Sequence, residues 1–418
     1  MAPDREHIAR SLRTARENRG INQQDAARHL GLSRSLIAQI ELGNRPVSPE
    51  ELSKLAALYR RPVSEFTPAA ELREADVLSG LLRVAPWFTG RGAKQHLEDA
   101  LDLCRQATEL EALLGRESLV GVPYYELRSP RNLAEAIAQG ERVAAQERQR
   151  LGLGPELPIA NVSSLVMSQG VRAAAIDLPE EVLGLFVRHP SLGSAALTSG
   201  MESASARRLG FLREYAHAVL ERGRTTIVTT PLNIDDELTQ RRASAFAVAF
   251  LLPSAGIEAA VTNLGKGQPS RKAHTVFGHE LEKPATAETR SAPGSQTLTY
   301  HDVATIARRF GISYRSMTYR LQALAIVSEA DGKKLRTPTH QRAARDYARL
   351  VTPERETTPA RRVKGEHGRE LKGYVAHLAI DAYRRRLIDA EELSALASKL
   401  SMSGLSAAKL VELAEAAR

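Results

Sequence analysis

The stretch Gln23–Arg45, QQDAARHLGLSRSLIAQIELGNR, decides how the first part of this chain folds. Asn22–Leu30 reads as a helix, and Gly31 can take the left-handed conformation that ends it and turns the chain sharply. Ser33 then caps a second helix, Arg34–Leu42, with Leu36, Ile37 and Ile40 as its inward face. Gly43 ends that helix, and Ser48-Pro49-Glu50-Glu51 starts another whose buried side is Leu52, Leu55, Ala56 and Leu58. Upstream, Ile8, Leu12 and Ala15 recur at helical spacing until Arg19-Gly20 supplies a stop. A helix, a tight glycine turn and a second helix with polar residues near its start form the geometry that enters a major groove.

This stretch closely resembles the Cro/CI-type (XRE) repressor domain. The resemblance places Arg34, Ser35 and Gln39 where base-reading residues sit, and Gln23, Asn44 and Arg45 where phosphates are held. Ser33, at the head of the same helix, joins the DNA-facing set. Arg34 suits guanine O6/N7, and Gln39 suits adenine N6/N7. The bland alternative is a small helical domain with solvent-facing polar residues. The implied partner is a double-stranded DNA operator, bound by a homodimer because such domains read two half-sites about one turn apart.

Outward from that segment, 418 residues are enough for two to four domains at roughly 100–200 residues each. An apolar fraction of 43% and a charged fraction of 26% are those of an ordinary water-soluble protein. No membrane span is expected, nor does the charged start MAPDREHIAR resemble a secretory signal, so a cytoplasmic location is expected. A single cysteine, Cys104, excludes an internal disulfide framework and any multi-cysteine zinc site. The net charge of +9 hints at an acidic partner; residues 1–65 have a net +3 and residues 332–372 a net +7, together more than the whole excess. That second run reads equally well as a solvated linker. Residues 66–130 are expected to be helical. Their stripe Leu97, Leu101, Cys104, Ala107, Leu110 and Leu114 serves internal packing or, alternatively, a dimer helix.

Residues 131–152 read as a helix, followed by β-type runs at Val171–Asp177, Leu183–Val187 and Ala195–Thr198 and a long helix from Ala204 to Glu221. Two stretches, RRLGFLREYAHAVLERGR (207–224) and QRRASAFAVAFLLP (240–253), resemble the ImmA/IrrE family of zinc metallopeptidases. The family places its HExxH helix in the first and a pattern close to ExEANxFAxxxLMP in the second. The likeness continues to VATIARRFGISYRSMTYRLQALAIVS (303–328), itself like a helix-turn-helix, with Arg315, Thr318, Tyr319 and Arg320 expected on its outer face.

The departures from the family are chemical. In HExxH, two histidines four apart hold zinc and the glutamate acts as general base. Here the five residues are Arg213-Glu214-Tyr215-Ala216-His217, and the family's third ligand, a glutamate, is matched by Arg242. An arginine has no lone pair to give. Glu214 is therefore a vestigial general base, and Arg213, His217 and Arg242 occupy vestigial metal positions. No cofactor is expected, with zinc implied only if Asp235, Asp236, Glu237 or His279 rebuilds a different ligand set. Pairing of Glu214 or Glu237 with Arg213 and Arg242 is the expected use of those charges.

The expected fold class is mostly α with a small α+β middle domain: an all-α helix-turn-helix, a zincin-like domain and a helical C-terminus. The expected boundaries are 1–66 for the helix-turn-helix, 67–130 for a helical connector and dimer element, and 131–330 for the peptidase-like domain. Residues 262–298 are expected to be a loop, 331–366 a basic linker and 367–418 a helical segment suited to self-association. The functional expectation is a DNA-binding transcriptional regulator with an inactive pseudo-peptidase domain that regulates or binds a protein partner. Its alternatives are a DNA-tethered zinc endopeptidase that cuts a repressor or antitoxin, and an antitoxin-like or immunity protein that autoregulates its operon.

Overall fold

The computed structural model describes residues 3–59, 91–116, 122–230, 237–267, 271–276, 285–290, 295–351 and 367–400, with a few single positions besides. Four helices open the chain: α1 Pro3–Asn18, α2 Gln23–Leu30, α3 Arg34–Glu41 and α4 Pro49–Tyr59. Side-chain caps start the middle two, with Asn22 accepting from the Asp25 amide and Ser33 from the Leu36 amide. Gly31 ends α2 at φ 68°, a conformation costly for any residue with a Cβ. Ile37, Ile40, Leu52, Leu55, Ala56 and Tyr59 close a small core with Leu12 and Ala26. Leu36, expected inside, is 36% exposed at the edge of the face that carries Ile40.

The middle of the chain is a three-layer unit. It contains α5 Arg91–Leu113, α6 Leu133–Arg150, α7 Val162–Ser168, β1 Val171–Ile176, β2 Gly184–His189 and β3 Gly193–Ser199. It continues through α8 Ala204–Leu220, β4 Thr226–Thr229, α9 Glu237–Leu251 and α10 Ser254–Asn263. The sheet order is β1-β3-β2-β4, with β1 parallel to β3 and the other pairs antiparallel. Alternate residues divide between two cores. Val171, Ala173, Phe186, Ala196 and Ile227 face the layer of α6–α10, whereas Ala174, Ile176, Leu185, Val187, Leu197 and Val228 face the opposite layer. Both faces are covered, so these strands read as continuous apolar runs rather than as polar–apolar alternation. Strand β4 escaped the sequence reading because it is only four residues long, although its β-branched TIVT favours a strand.

The remaining elements are β5 Arg271–Val276 and β6 Ala285–Arg290, α11 Tyr300–Phe310, α12 Tyr314–Ala323, α13 Glu329–Leu335 and α14 Pro338–Val351. Two more helices follow, α15 Arg369–Arg384 and α16 Ala390–Lys399. Three expectations change here, and one alternative left open is decided. The presumed loop at 262–298 contains the antiparallel pair β5–β6, whose Thr- and Val-bearing strands form a backbone ladder despite many charges. The presumed basic linker holds α13 and α14, with Leu335 and Ala344 buried on their apolar sides.

The stripe of α5 faces inward, packing Leu97, Leu101, Cys104, Ala107 and Leu110 against Val375, Leu378 and Ala379 of α15 and against the sheet. Leu393, Leu396 and Leu400 belong to the same core. Apolar residues offered to a dimer partner in the sequence reading are thus spent within one chain. Finally, the run Glu237–Asn263 is long and apolar enough to cross a membrane by length and composition, which no run was expected to be. Its Phe246, Phe250, Leu251 and Ile257 lie in the protein core, and Pro253 separates α9 from α10.

Candidate nucleic-acid interface and peptidase-like site

On α3 the polar trio Arg34, Ser35 and Gln39 is exposed, while Ile37 and Ile40 on the other side are buried. The helix is amphipathic over only eight residues, so its orientation rests on those two isoleucines. Among the described residues, the side chains of Arg34 and Gln39 make no hydrogen bond, which leaves their donors available. Ser33 Oγ lies 2.8 Å from Ser35 Oγ and accepts from the Leu36 amide at 3.3 Å, so Ser33 is committed first to the cap. Asn44 is exposed. Gln23 and Arg45 are half-buried and already engaged: Gln23 Nε2 donates to Glu41 Oε2 at 2.9 Å, and Arg45 donates to Glu51 at 2.8 Å. Gln23 keeps a second amide hydrogen and Arg45 further guanidinium donors beyond these bonds.

Beneath this surface lies an ion pair the sequence reading missed. Arg16 Nε and Nη2 meet Glu41 at 2.6 and 2.9 Å, and both side chains are buried. The hydrogen bonds to Glu41 hold the Arg16 proton more tightly than usual, against the opposing cost of burial. The fork joins the end of α1 to the end of α3 and so fixes the tilt of α3. Its sequence signal is faint: two charged residues, each next to an apolar position of its own helix.

The second site is built on α8, which is buried almost all round over its second half. Glu214 is fully buried against the sheet, where its Oε1 accepts from Thr229 Oγ1 at 3.0 Å and from Arg213 Nε at 3.1 Å. The fit is close. A Cβ on Gly184 would stand 2.3 Å from that oxygen. Burial pushes the Glu214 carboxyl above its usual range, with Arg213 and Thr229 opposing. Tyr215 donates to Glu147, which also receives Tyr125 at 2.7 Å and Arg150 at 2.7 Å. His217 is fully buried. On α9, Arg242 pairs with Glu221 and donates to Gln139 Oε1 at 3.0 Å. Glu237, expected to meet Arg213 or Arg242, pairs with Arg241 at 3.3 Å instead. Asp235, Asp236 and His279 lie outside the described residues.

The third candidate element, α11–turn–α12, repeats the helix–glycine–helix rhythm. Of the four residues expected on its outer face, Arg315 and Tyr319 are exposed, whereas Thr318 and Arg320 are buried. Arg320 donates to the Leu252 carbonyl at 3.1 Å and to Glu141 at 2.5 Å, which turns its side chain toward α6 and the end of α9.

Comparison with known families gives two matches. A helix-turn-helix domain model matches residues 7–68, and an IrrE N-terminal-like domain model matches residues 196–322. The chain joins a DNA-binding helix-turn-helix domain to an IrrE N-terminal-like, peptidase-like domain. No curated protein matches it.

The IrrE-like match starts in β3 and ends in α12, so it contains α8, α9 and the α11–α12 pair. Within it, the residues do not fit the zinc site such a domain implies. Arg213 and Arg242 hold no lone pair, and each is tied to a carboxylate, Glu214 and Glu221 respectively. Glu214 is turned to Thr229 and the sheet. That leaves His217 as the sole imidazole at the three family ligand positions, where a zinc site needs three protein ligands.

Proposed function

We propose that the chain is a sequence-specific transcriptional regulator, acting on double-stranded operator DNA as a homodimer in the cytoplasm. Arg34, Ser35 and Gln39 read bases, and Asn44 with Gln23 and Arg45 holds phosphates. The observation that carries this reading is the one-sided exposure of the polar trio on α3, backed by buried Ile37 and Ile40. A helix so divided presents donors to a groove while its apolar side anchors it. The IrrE-like domain serves as a non-hydrolysing platform for a protein partner or a signal. Two cations at ligand positions, each locked to its own carboxylate, support that part of the reading.

The test has two arms. Selection from random duplexes with the full chain should return one two-fold-related motif, and Arg34→Ala should relax it at one base pair in each half-site. Uniform weakening on every sequence would make Arg34 a phosphate contact. In the second arm, His217→Asn should change neither the zinc content of the untagged protein nor its DNA binding. Loss of one zinc equivalent on that substitution would overturn the non-hydrolysing reading.

A further inference from the structure

On the face of the sheet opposite α8, three residues from distant parts of the chain converge. His96 stands on α5, Asp177 follows the last residue of β1, and His367 comes two residues before α15. One donor atom of each lies within 4.8 Å of the other two. His96 Nδ1 is 3.9 Å from one Asp177 oxygen, and His367 Nδ1 is 3.4 Å from the other. The imidazole centroids are 4.3 Å apart with the planes tilted by 32°.

We propose that His96, Asp177 and His367 bind one divalent transition-metal ion of the zinc class, which clamps α5 and the head of α15 to the end of β1. With ligand bonds of about 2.0–2.1 Å in a tetrahedral site, neighbouring donors stand about 3.4 Å apart. The observed separations of 3.4 and 3.9 Å match that value or exceed it by about half an ångström, which small side-chain rotations close. They are long for direct hydrogen bonds, which for a charged N–H and a carboxylate run to about 2.9 Å.

His96 Nδ1 is shielded from solvent and has no hydrogen-bond partner among the described residues, an arrangement a buried ring nitrogen seldom tolerates. A metal ion answers this point, since it takes a lone pair from each ring. Two imidazoles and one carboxylate select zinc, cobalt or nickel over magnesium or calcium. The three side chains keep 28%, 30% and 33% of their surface, so an ion can reach them and a fourth position stays open to water.

The surroundings are already ordered for this. The Gly368 amide donates to the Ala175 carbonyl at 2.8 Å, and Glu370 of α15 accepts from the Ala175 amide at 3.4 Å. These bonds seat the residue after His367 against the strand that ends at Asp177. The metal would therefore couple the position of α15, and the basic stretch that precedes His367 in the sequence, to the packing of the central sheet.

Cobalt(II) titration of the untagged full chain tests this directly. One equivalent with the visible absorption of four-coordinate cobalt is expected, displaced by zinc. His96→Ala and His367→Ala should each weaken binding by at least about 100-fold, the upper end of what losing a mere supporting partner costs. Asp177→Asn, which keeps the side-chain volume, should also weaken it, and His217→Asn should leave it unchanged. Zinc should raise the melting temperature of the wild type and of His217→Asn, but not that of His96→Ala/His367→Ala. No cobalt bound by the wild type, or binding that survives the double substitution, would overturn the proposal. Binding that depends on His217 would overturn it as well, and would return the metal to α8.

Discussion

The chain carries one local motif twice, and the two copies end in different surroundings. Leu30-Gly31-Leu32-Ser33 leads into α3, and Phe310-Gly311-Ile312-Ser313 leads into α12. Gly31 and Gly311 are both left-handed, at φ 68° and 63°, and both serines cap the following helix. Beyond the caps the likeness stops. Position eight of the motif is buried Ile37 in one and buried Met317 in the other, but position eleven is buried Ile40 against buried, hydrogen-bonded Arg320. In the first copy every strongly polar side chain of the second helix before Glu41 stays outside. In the second, one is drawn in to hold α6 and the end of α9. A helix-turn-helix is thus a local solution to turning the chain, and it becomes a reader of DNA only where the surface of its second helix is left free.

The largest expected break in this symmetry comes from the residue before each glycine. Phe310 is fully buried in the main core, so Phe310→Ala should cost about 3–5 kcal/mol. Its counterpart Leu30 is half-buried, and Leu30→Ala should cost well under that. Urea unfolding of the two variants measures the difference, and equal costs would remove the distinction between a framework copy and a surface copy.

Next in size is base readout. Arg34→Ala should lose about 1–3 kcal/mol of discrimination at one base pair, with unchanged stability. Arg315→Ala, one step further along the second copy, should leave the selected motif and its affinity as they were. Competition binding against single-base operator variants checks both.

The caps sharpen the comparison by asking for likeness. Ser33→Ala and Ser313→Ala should each cost about 1 kcal/mol, because each hydroxyl accepts from a backbone amide at 3.3 and 3.1 Å respectively. Thermal melts of the two variants should give similar losses.

The smallest effect concerns Glu214, which has no counterpart in the DNA-binding part. Its folded-state carboxyl is raised above the unfolded value of about 4.3, so its protonated form is the one that favours folding. That contribution is complete below the unfolded value and fades as pH rises through the folded one. Glu214→Gln, neutral throughout, should match the wild type in acid and exceed it at neutral pH. Urea midpoints across that range would show a flatter curve for the variant, and parallel curves would mean that Arg213 and Thr229 compensate the burial fully.

Much of the DNA-binding part was legible because its rules are local. Caps, a left-handed glycine and two isoleucines three apart place Arg34 and Gln39 outside without reference to anything distant. The Arg16–Glu41 pair was not, since its partners are 25 residues apart and neither breaks a pattern. In the peptidase-like part, the chemistry was readable from residue types alone: arginines at ligand positions donate no lone pair wherever they point. Their partners were not readable. Arg242 meets Glu221 rather than Glu237, because the end of α8 brings Glu221 beside α9 while Glu237 pairs along its own helix with Arg241.

Residue identity and short-range spacing were therefore enough for two conclusions, a helix-turn-helix near the start and a zinc motif with arginine at two of its three ligand positions. Both depend on contacts within a few residues or on the valence of single side chains. Tertiary structure alone decided the use of α5, which could equally have faced a second chain. It turned that helix onto the sheet because α15 and α16 complete the apolar layer there. It also brought His96, Asp177 and His367 within reach of one ion, across 271 residues of chain that no local rule connects.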